Sequence, residues 1–321
     1  MPQELLSGIV VSFGISLLLG PFFIRYMKRL QFGQQIREDG PARHLAKAGT
    51  PTMGGVVFLA AALITQLLLG PRQAAVFLAF LPTLGGAVIG GLDDYTKVSR
   101  GRSLGLKARN KILGQLLLAG LFAALLFQAG HSTAVAIPFT EIRLELGKFY
   151  SLLVVVMILS TTNAVNLTDG IDGLAAGTAI ISFLTFLYIS AMQGQYELAF
   201  FCAVMVGACF GFLVYNLHPA RVFMGDAGSL ALGGALAAVA ILTKTELYLL
   251  IIGGVFVIET LAVILQVASF QLTGKRLFLM TPLHHHFELK GWSEWRVVTS
   301  FWALAFILAL VALLDLGGGF F

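Results

Sequence analysis

Charge is scarce in this sequence. Asp, Glu, Lys and Arg together make up 12% of its 321 residues, apolar types make up 58%, and mean hydropathy is +0.89. A soluble chain of this length does not carry so little charge, so a polytopic membrane protein is the class that remains. Long polar stretches, internal repeats and linkers are missing as well, and a single integral membrane domain over 1–321 is expected. Cysteine is almost absent. Cys202 and Cys209 stand seven apart inside an apolar run, without metal-ligand spacing, and read as buried bystanders. The first apolar run, 5–24, lacks a basic leader and a small-residue cleavage site, and reads as a retained span. No G-K-[ST] follows the glycines of 40–55, which excludes a Walker A loop.

What the sequence has in quantity is apolar runs of spanning length, about 20 residues each. Ten are predicted, at 5–24, 54–70, 74–92, 112–130, 149–167, 174–192, 197–216, 228–243, 247–270 and 297–314. The fold class is therefore all-α, with ten transmembrane helices. The ninth carries Gly253-Gly254 and Glu259, which predicts a kinked or broken helix with the acid turned away from lipid. Segment 131–148 alternates around Pro138 and predicts a small β-hairpin. Of the 21 Lys and Arg, 17 fall in 25–53, 93–111, 217–227 and 271–296. Basic loops face the cytoplasm, so this set is assigned there and both termini outside.

That orientation gathers the acids on one face. The stretch Thr161–Gly173 holds Asn163, Asn166, Asp169 and Asp172 between two apolar runs. Carboxylates are costly in hydrocarbon, so this cluster must meet water or a polar cavity. A spacing of three puts all four residues on one helical face, although the Asp-Gly pairs predict that the helix breaks there. In GGLDDYTK, the neighbouring Asp93 and Asp94 repel each other and suit a site that binds a cation, with oxygen ligands fitting Mg2+. Lys97 stands i+4 and i+3 from them, as an ordinary helical ion pair would.

Asp226, in FMGDAGS beside Phe223, is either a cap at a helix entrance or a third metal carboxylate. His284, His285 and His286 follow Thr281-Pro282, read as cap and first helical position. Adjacent helical side chains diverge by about 100°, so the three histidines cannot share one zinc and suit phosphate contacts instead. Lys107 and Lys111 are either topology signal or a grip on a lipid phosphate. Glu259 and Gln266, seven apart, face one way, as packing glue or as a cavity lining. A transporter would place its ionisable groups near the midplane, where only Glu259 lies; the one-sided cluster suits an enzyme that meets a cytosolic substrate and a membrane lipid.

Taken together, these segments resemble the phospho-N-acetylmuramoyl-pentapeptide transferases, within the polyprenyl-phosphate N-acetylhexosamine-1-phosphate transferases. The resemblance runs over essentially the whole chain. GGLDD at 90–94, NAVNLTDGIDG at 163–173 and FMGDAGS at 223–229 carry the broad likeness. DGPARHLAKAGTPTMGG at 39–55 and PLHHHFE at 282–288 carry the muramoyl branch. It implies transfer of phospho-MurNAc-pentapeptide from its UDP carrier to undecaprenyl phosphate, forming lipid I and releasing UMP. Mg2+ is the implied cofactor, the bacterial inner membrane the implied location, and a homodimer the implied assembly; nucleic acid is not among the expected partners.

By the same likeness Asp93, Asp94 and Asp226 serve metal and catalysis. Lys47, Thr52, Asn163, Asn166, Asp169, Asp172, Phe223 and Gln266 meet the nucleotide and sugar. Lys97, Lys111, Asn216 and His284–His286 surround the phosphates. Two other readings are a UDP-GlcNAc transferase, against which segments 39–55 and 282–288 speak, and a membrane transporter.

Overall fold

The computed structural model describes residues 2–30, 49–101 and 104–319, with side chains to 317. Its helices are α1 (Pro2–Arg29), α2 (Gly55–Leu69), α3 (Ala74–Ser99), α4 (Ala108–Gln128), α5 (Tyr150–Thr168), α6 (Leu174–Met192), α7 (Tyr196–Asn216), α8 (Gly225–Leu242), α9 (Leu249–Ile252), α10 (Gly254–Thr273), α11 (Leu283–Leu289) and α12 (Glu294–Gly319). Nine segments among the described residues are long and apolar enough to cross a membrane; α2, of 15 residues, is shorter. The ninth expected span is broken as predicted. Gly253 separates α9 from α10, and Glu259 is fully buried.

The expected hairpin is present: β1 (Ala134–Ala136) pairs antiparallel with β2 (Arg143–Glu145), Val135 opposite Leu144. It marks one end of the bundle and is fastened there by long-range polar contacts. Lys244 Nζ donates to Ser132 O at 2.9 Å, and Asp315 accepts from the Phe139 amide at 2.8 Å and the Tyr248 hydroxyl at 2.6 Å.

Helices α7 and α8 form the centre and are buried nearly all round. In lipid, apolar contact gives no hydrophobic drive between helices, so close packing of small residues takes over. The α3–α8 seam shows this directly. A Cβ on Gly86 would stand 2.6 Å from Leu230 O, and one on Gly90 would stand 2.0 Å from Asp226 O. A Cβ on Gly234 would meet Pro82 O at 2.3 Å. Backbone therefore lies against backbone along this seam, and it ends at the two acid motifs. Both cysteines are fully buried and free.

Among the boundaries that differ from expectation, two concern acids. α3 runs two turns past the apolar stretch, so Asp93, Asp94 and Lys97 are all helical. α8 starts at Gly225 rather than 228, so Asp226 lies in its first turn with Met224 in the capping position. Hydropathy ends a span where charge begins; a helix continues as long as its charges find partners.

Candidate active site

The end of the bundle opposite the hairpin collects the carboxylates. Asp93 and Asp94 come from the last turns of α3, Asp226 from the start of α8, and one oxygen from each lies within 4.8 Å of the others. Each acid is aimed by a specific donor. Asp93 Oδ1 accepts the Leu106 amide at 2.8 Å, and Asp94 Oδ2 accepts the Ala227 amide at 3.0 Å. Asp226 Oδ1 accepts from Asn166 Nδ2 at 3.0 Å, and that nitrogen also donates to Ser229 Oγ at 2.9 Å. Gly225 makes the approach possible. It holds φ of +75°, and a Cβ there would lie 2.6 Å from Asp94 Oδ2.

Two ammonium groups face these acids. Lys97 Nζ lies 2.7 Å from Asp93 Oδ2, 3.5 Å from Asp94 Oδ1 and 3.0 Å from Asp226 Oδ1. The helical ion pair anticipated for Lys97 exists, and it extends to α8. Lys111, in the first turns of α4, reaches Asp226 Oδ2 at 2.7 Å and Asn166 Oδ1 at 3.2 Å. Three hard-oxygen carboxylates on rigid helix ends form the donor set that a divalent cation takes. Asp93, Asp94 and Asp226 outnumber the two lysines, so the cluster still presents negative charge to a cation.

Asp169 ends α5 as its capping residue. Its pKa is raised well above 3.8, first by burial and then by the charges of Asp226, Asp94 and Asp172, with Lys97 opposing. A carboxyl that keeps its proton to higher pH when folded than when unfolded loses stability as pH rises between the two values. Asp169→Asn is therefore expected to raise the melting temperature at about pH 8 and leave it unchanged below about pH 3. Thermal scans at the two pH values check this; an unchanged difference between them would contradict it.

The remaining expected site residues separate into two groups. Thr52 and Phe223 stay with the acids. Residues 51–55 lie along the loop that precedes α8: Phe223 donates its amide to Pro51 O, and the Gly54 and Gly55 amides donate to Phe223 O and Met224 O, each at 2.8 Å. Thr52 is buried there, and Phe223 is half-buried. Lys47 lies outside the described residues.

Others are occupied with holding elements together. Asn163 donates to Gln115 Oε1 of α4 at 3.0 Å, one turn deeper than the carboxylates. Asn216 is buried, accepting from the Gly173 amide at 3.1 Å and donating to Val222 O at 3.0 Å, so its amide carries the loop and not the open face. Asp172 accepts from His218 and from the Ala220 amide. Gln266 clasps segment 277–278 through both amide atoms, and it lines a cleft of about 670 Å³ with Arg276 and Thr281.

The three histidines diverge as helical geometry requires. His284 is wholly buried with Nδ1 3.2 Å from Glu259 Oε1, His285 pairs with Glu288, and His286 Nδ1 accepts the Leu279 amide. The expected cap is corrected here. Pro282, with extended backbone, holds the capping position, α11 begins at Leu283, and Thr281 provides no cap. Glu259 takes over that role, accepting the Leu283 and His284 amides at 2.6 and 3.2 Å. Two of the free amides at this helix entrance are therefore taken up by a carboxylate of α10. His284 Nε2 is buried without a hydrogen-bond partner and lies against Gly170. Gln115, Ser229, His218 and Glu294 contact the expected site residues and were left unassigned by sequence reasoning, which gave Glu259 only a packing or lining role.

A helical membrane bundle with three carboxylates and two lysines at one end has the parts of a membrane transferase that handles phosphates. Residues 76–244 match the model described as glycosyl transferase family 4. Residues 47–59 match the phospho-N-acetylmuramoyl-pentapeptide-transferase signature 1. Relatives carrying that same enzyme name include the protein of Geobacillus kaustophilus, 53% identical over 318 residues, and that of Halalkalibacterium halodurans, 52% identical over 317. The protein of Bacillus cytotoxicus is 53% identical over 317 residues, and each match covers 98% of both chains. The chain belongs to the phospho-N-acetylmuramoyl-pentapeptide-transferase family.

Proposed function

We propose that this chain transfers phospho-MurNAc-pentapeptide from UDP-MurNAc-pentapeptide to undecaprenyl phosphate, giving lipid I and UMP in peptidoglycan synthesis. It acts as one integral membrane domain over 1–321, as a homodimer in the bacterial inner membrane, with the acid-bearing end facing the cytoplasm. The observation that carries this reading is the meeting of Asp93, Asp94 and Asp226 with Lys97 and Lys111 at one end of the bundle.

An oxygen of the lipid phosphate forms a bond to the phosphorus next to the sugar, the diphosphate bridge breaks, and UMP leaves. Phosphoryl transfer needs positioning and charge neutralisation more than covalent help. Asp226, with Asp93 and Asp94, would hold Mg2+, which would supply positive charge against the diphosphate and the leaving UMP. One carboxylate of the Asp93–Asp94 pair takes the proton of the lipid phosphate and so keeps it a nucleophile. Lys97 and Lys111 offset the repulsion among the carboxylates and offer positive charge to the phosphates. Asn166 fixes the orientation of Asp226 by its hydrogen bond.

The test is a side-by-side assay of UDP-MurNAc-pentapeptide and UDP-GlcNAc with undecaprenyl phosphate in detergent, following UMP. Release from the first donor alone is expected. Release from UDP-GlcNAc alone would move the chain to the GlcNAc branch, and release from neither in folded protein would overturn the reading. In the same assay Lys111→Gln is expected to lower turnover on the order of 10²-fold, the scale of one removed charge-stabilising donor.

A further inference from the structure

We infer that His218 is a positioning residue for nucleotide recognition, fastening the loop that carries Phe223 to the turn that carries Asp169. The inference rests on the reading of the site given above. Three distant segments converge on one imidazole nitrogen. His218 Nδ1 lies 3.0 Å from Asp172 Oδ2, in the turn between α5 and α6, and 3.1 Å from Glu294 Oε2, at the start of α12. Ionised carboxylates only accept hydrogen bonds, so Nδ1 carries the hydrogen that both share.

Backbone donors complete the junction. The Ala220 amide donates to Asp172 Oδ2 at 3.0 Å, and the Asp172 amide donates to Glu294 Oε1 at 2.8 Å. The two carboxylates are 1% and 9% exposed, whereas the imidazole is 37% exposed. Two buried acids facing one point are tolerated because donors surround them. The imidazole meets both carboxylates, and it stands at the solvent edge.

The junction lies directly behind the site. Asn216 joins the same turn and the same loop from inside, through Gly173 and Val222. His218 is the outer rung of this ladder, and Glu294 ties both strands of it to α12. Asp169 stands three residues before Asp172, and Phe223 five residues after His218. The rungs join the two segments that carry these side chains, and the backbone pairing of Phe223 with Pro51 and Gly54 holds the far end of the loop. Losing the inner rung would disturb the end of α7; losing the outer one frees only the loop and the turn.

The experiment compares wild type, His218→Ala and His218→Asn as full-length protein in detergent. Asn places an amide N–H where Nδ1 donates, whereas Ala places none. Hydrogen exchange over 169–173 and 217–224, UMP affinity by calorimetry, and KM for each substrate are measured. Expected for His218→Ala is faster exchange in both segments, with UMP affinity and the KM of the UDP donor each about tenfold worse. The KM for undecaprenyl phosphate and kcat stay within about twofold, and His218→Asn recovers most of the loss. Wild-type binding of UMP with an unchanged His218→Ala affinity would overturn the clamp alone. So would an equal loss toward both substrates, or a failure of His218→Asn to recover. A wild type that bound no UMP would instead overturn the reading of the site, and this inference with it.

Discussion

Asp226→Asn is expected to abolish turnover while leaving the fold intact. Asp226 is the carboxylate that meets both lysines: Lys97 and Asn166 through Oδ1, Lys111 through Oδ2. An amide keeps the volume and one accepting oxygen, but it removes the charge that a divalent cation would bind. It also turns an N–H₂ group toward an ammonium. Metal stabilisation of transition-state charge is worth several kcal/mol, and each step of about 1.4 kcal/mol is tenfold, so the loss is at least about 10³-fold. The fold loses some stability but not its architecture, because the substitution removes the ion pairs that Asp226 makes with Lys97 and Lys111 while the packing of α8 is untouched. A folded protein with a melting temperature at or below that of wild type, and with no measurable UMP release, is the expected pair of results. Substantial turnover in this variant would remove Asp226 from the chemistry.

Gly90→Ala is expected to fail for the opposite reason, through the frame and not the charge. Its Cβ would stand 2.0 Å from Asp226 O and 2.3 Å from Asp226 C. Backbone atoms cannot swing aside as a flexible side chain does, so α3 and α8 must part. That separates Asp93 and Asp94 from Asp226 on the scale of an ångström, and such a displacement costs about 10²-fold in rate. Overpacking of this kind also costs about 1–3 kcal/mol of stability. The neighbouring Gly91 provides the control, since a Cβ there meets only Ala227 Cβ at 4.0 Å. Gly91→Ala is expected within about twofold of wild type in turnover. Equal behaviour of the two variants, measured by UMP release and melting temperature, would contradict the close-packed seam.

The contrast between these glycines shows what the sequence alone conveys. GGLDD presents two glycines with nothing to tell them apart; only the position of α8 does so. Spans, the hairpin around Pro138 and the break at Gly253 were legible because each rests on local composition. The gathering of acids at one end was legible from the distribution of Lys and Arg. Partnerships across the bundle were not. Glu259 caps a helix 24 residues further on, and His218 meets a carboxylate at 294, pairings that no periodicity encodes.

The regular spacing of Asn163, Asn166, Asp169 and Asp172 identified a polar strip, yet the strip divides. Asn166 is turned to Asp226 and Asn163 to Gln115, and Asp172 holds the following loop. Spacing gives a face of a helix; the neighbour across that face decides whether a side chain meets substrate or protein.

In the proposed function, carboxylates of α3 and α8 hold a divalent cation for phosphoryl transfer. The most direct test of this is UMP release from UDP-MurNAc-pentapeptide and undecaprenyl phosphate as Mg2+ is titrated, with wild type beside Asp226→Asn and Asp93→Asn. Saturable dependence on Mg2+ in wild type, lost in both variants although each remains folded, is the predicted result. Turnover in wild type that is unaffected by chelation, or a metal dependence that survives unchanged in Asp226→Asn, would contradict it.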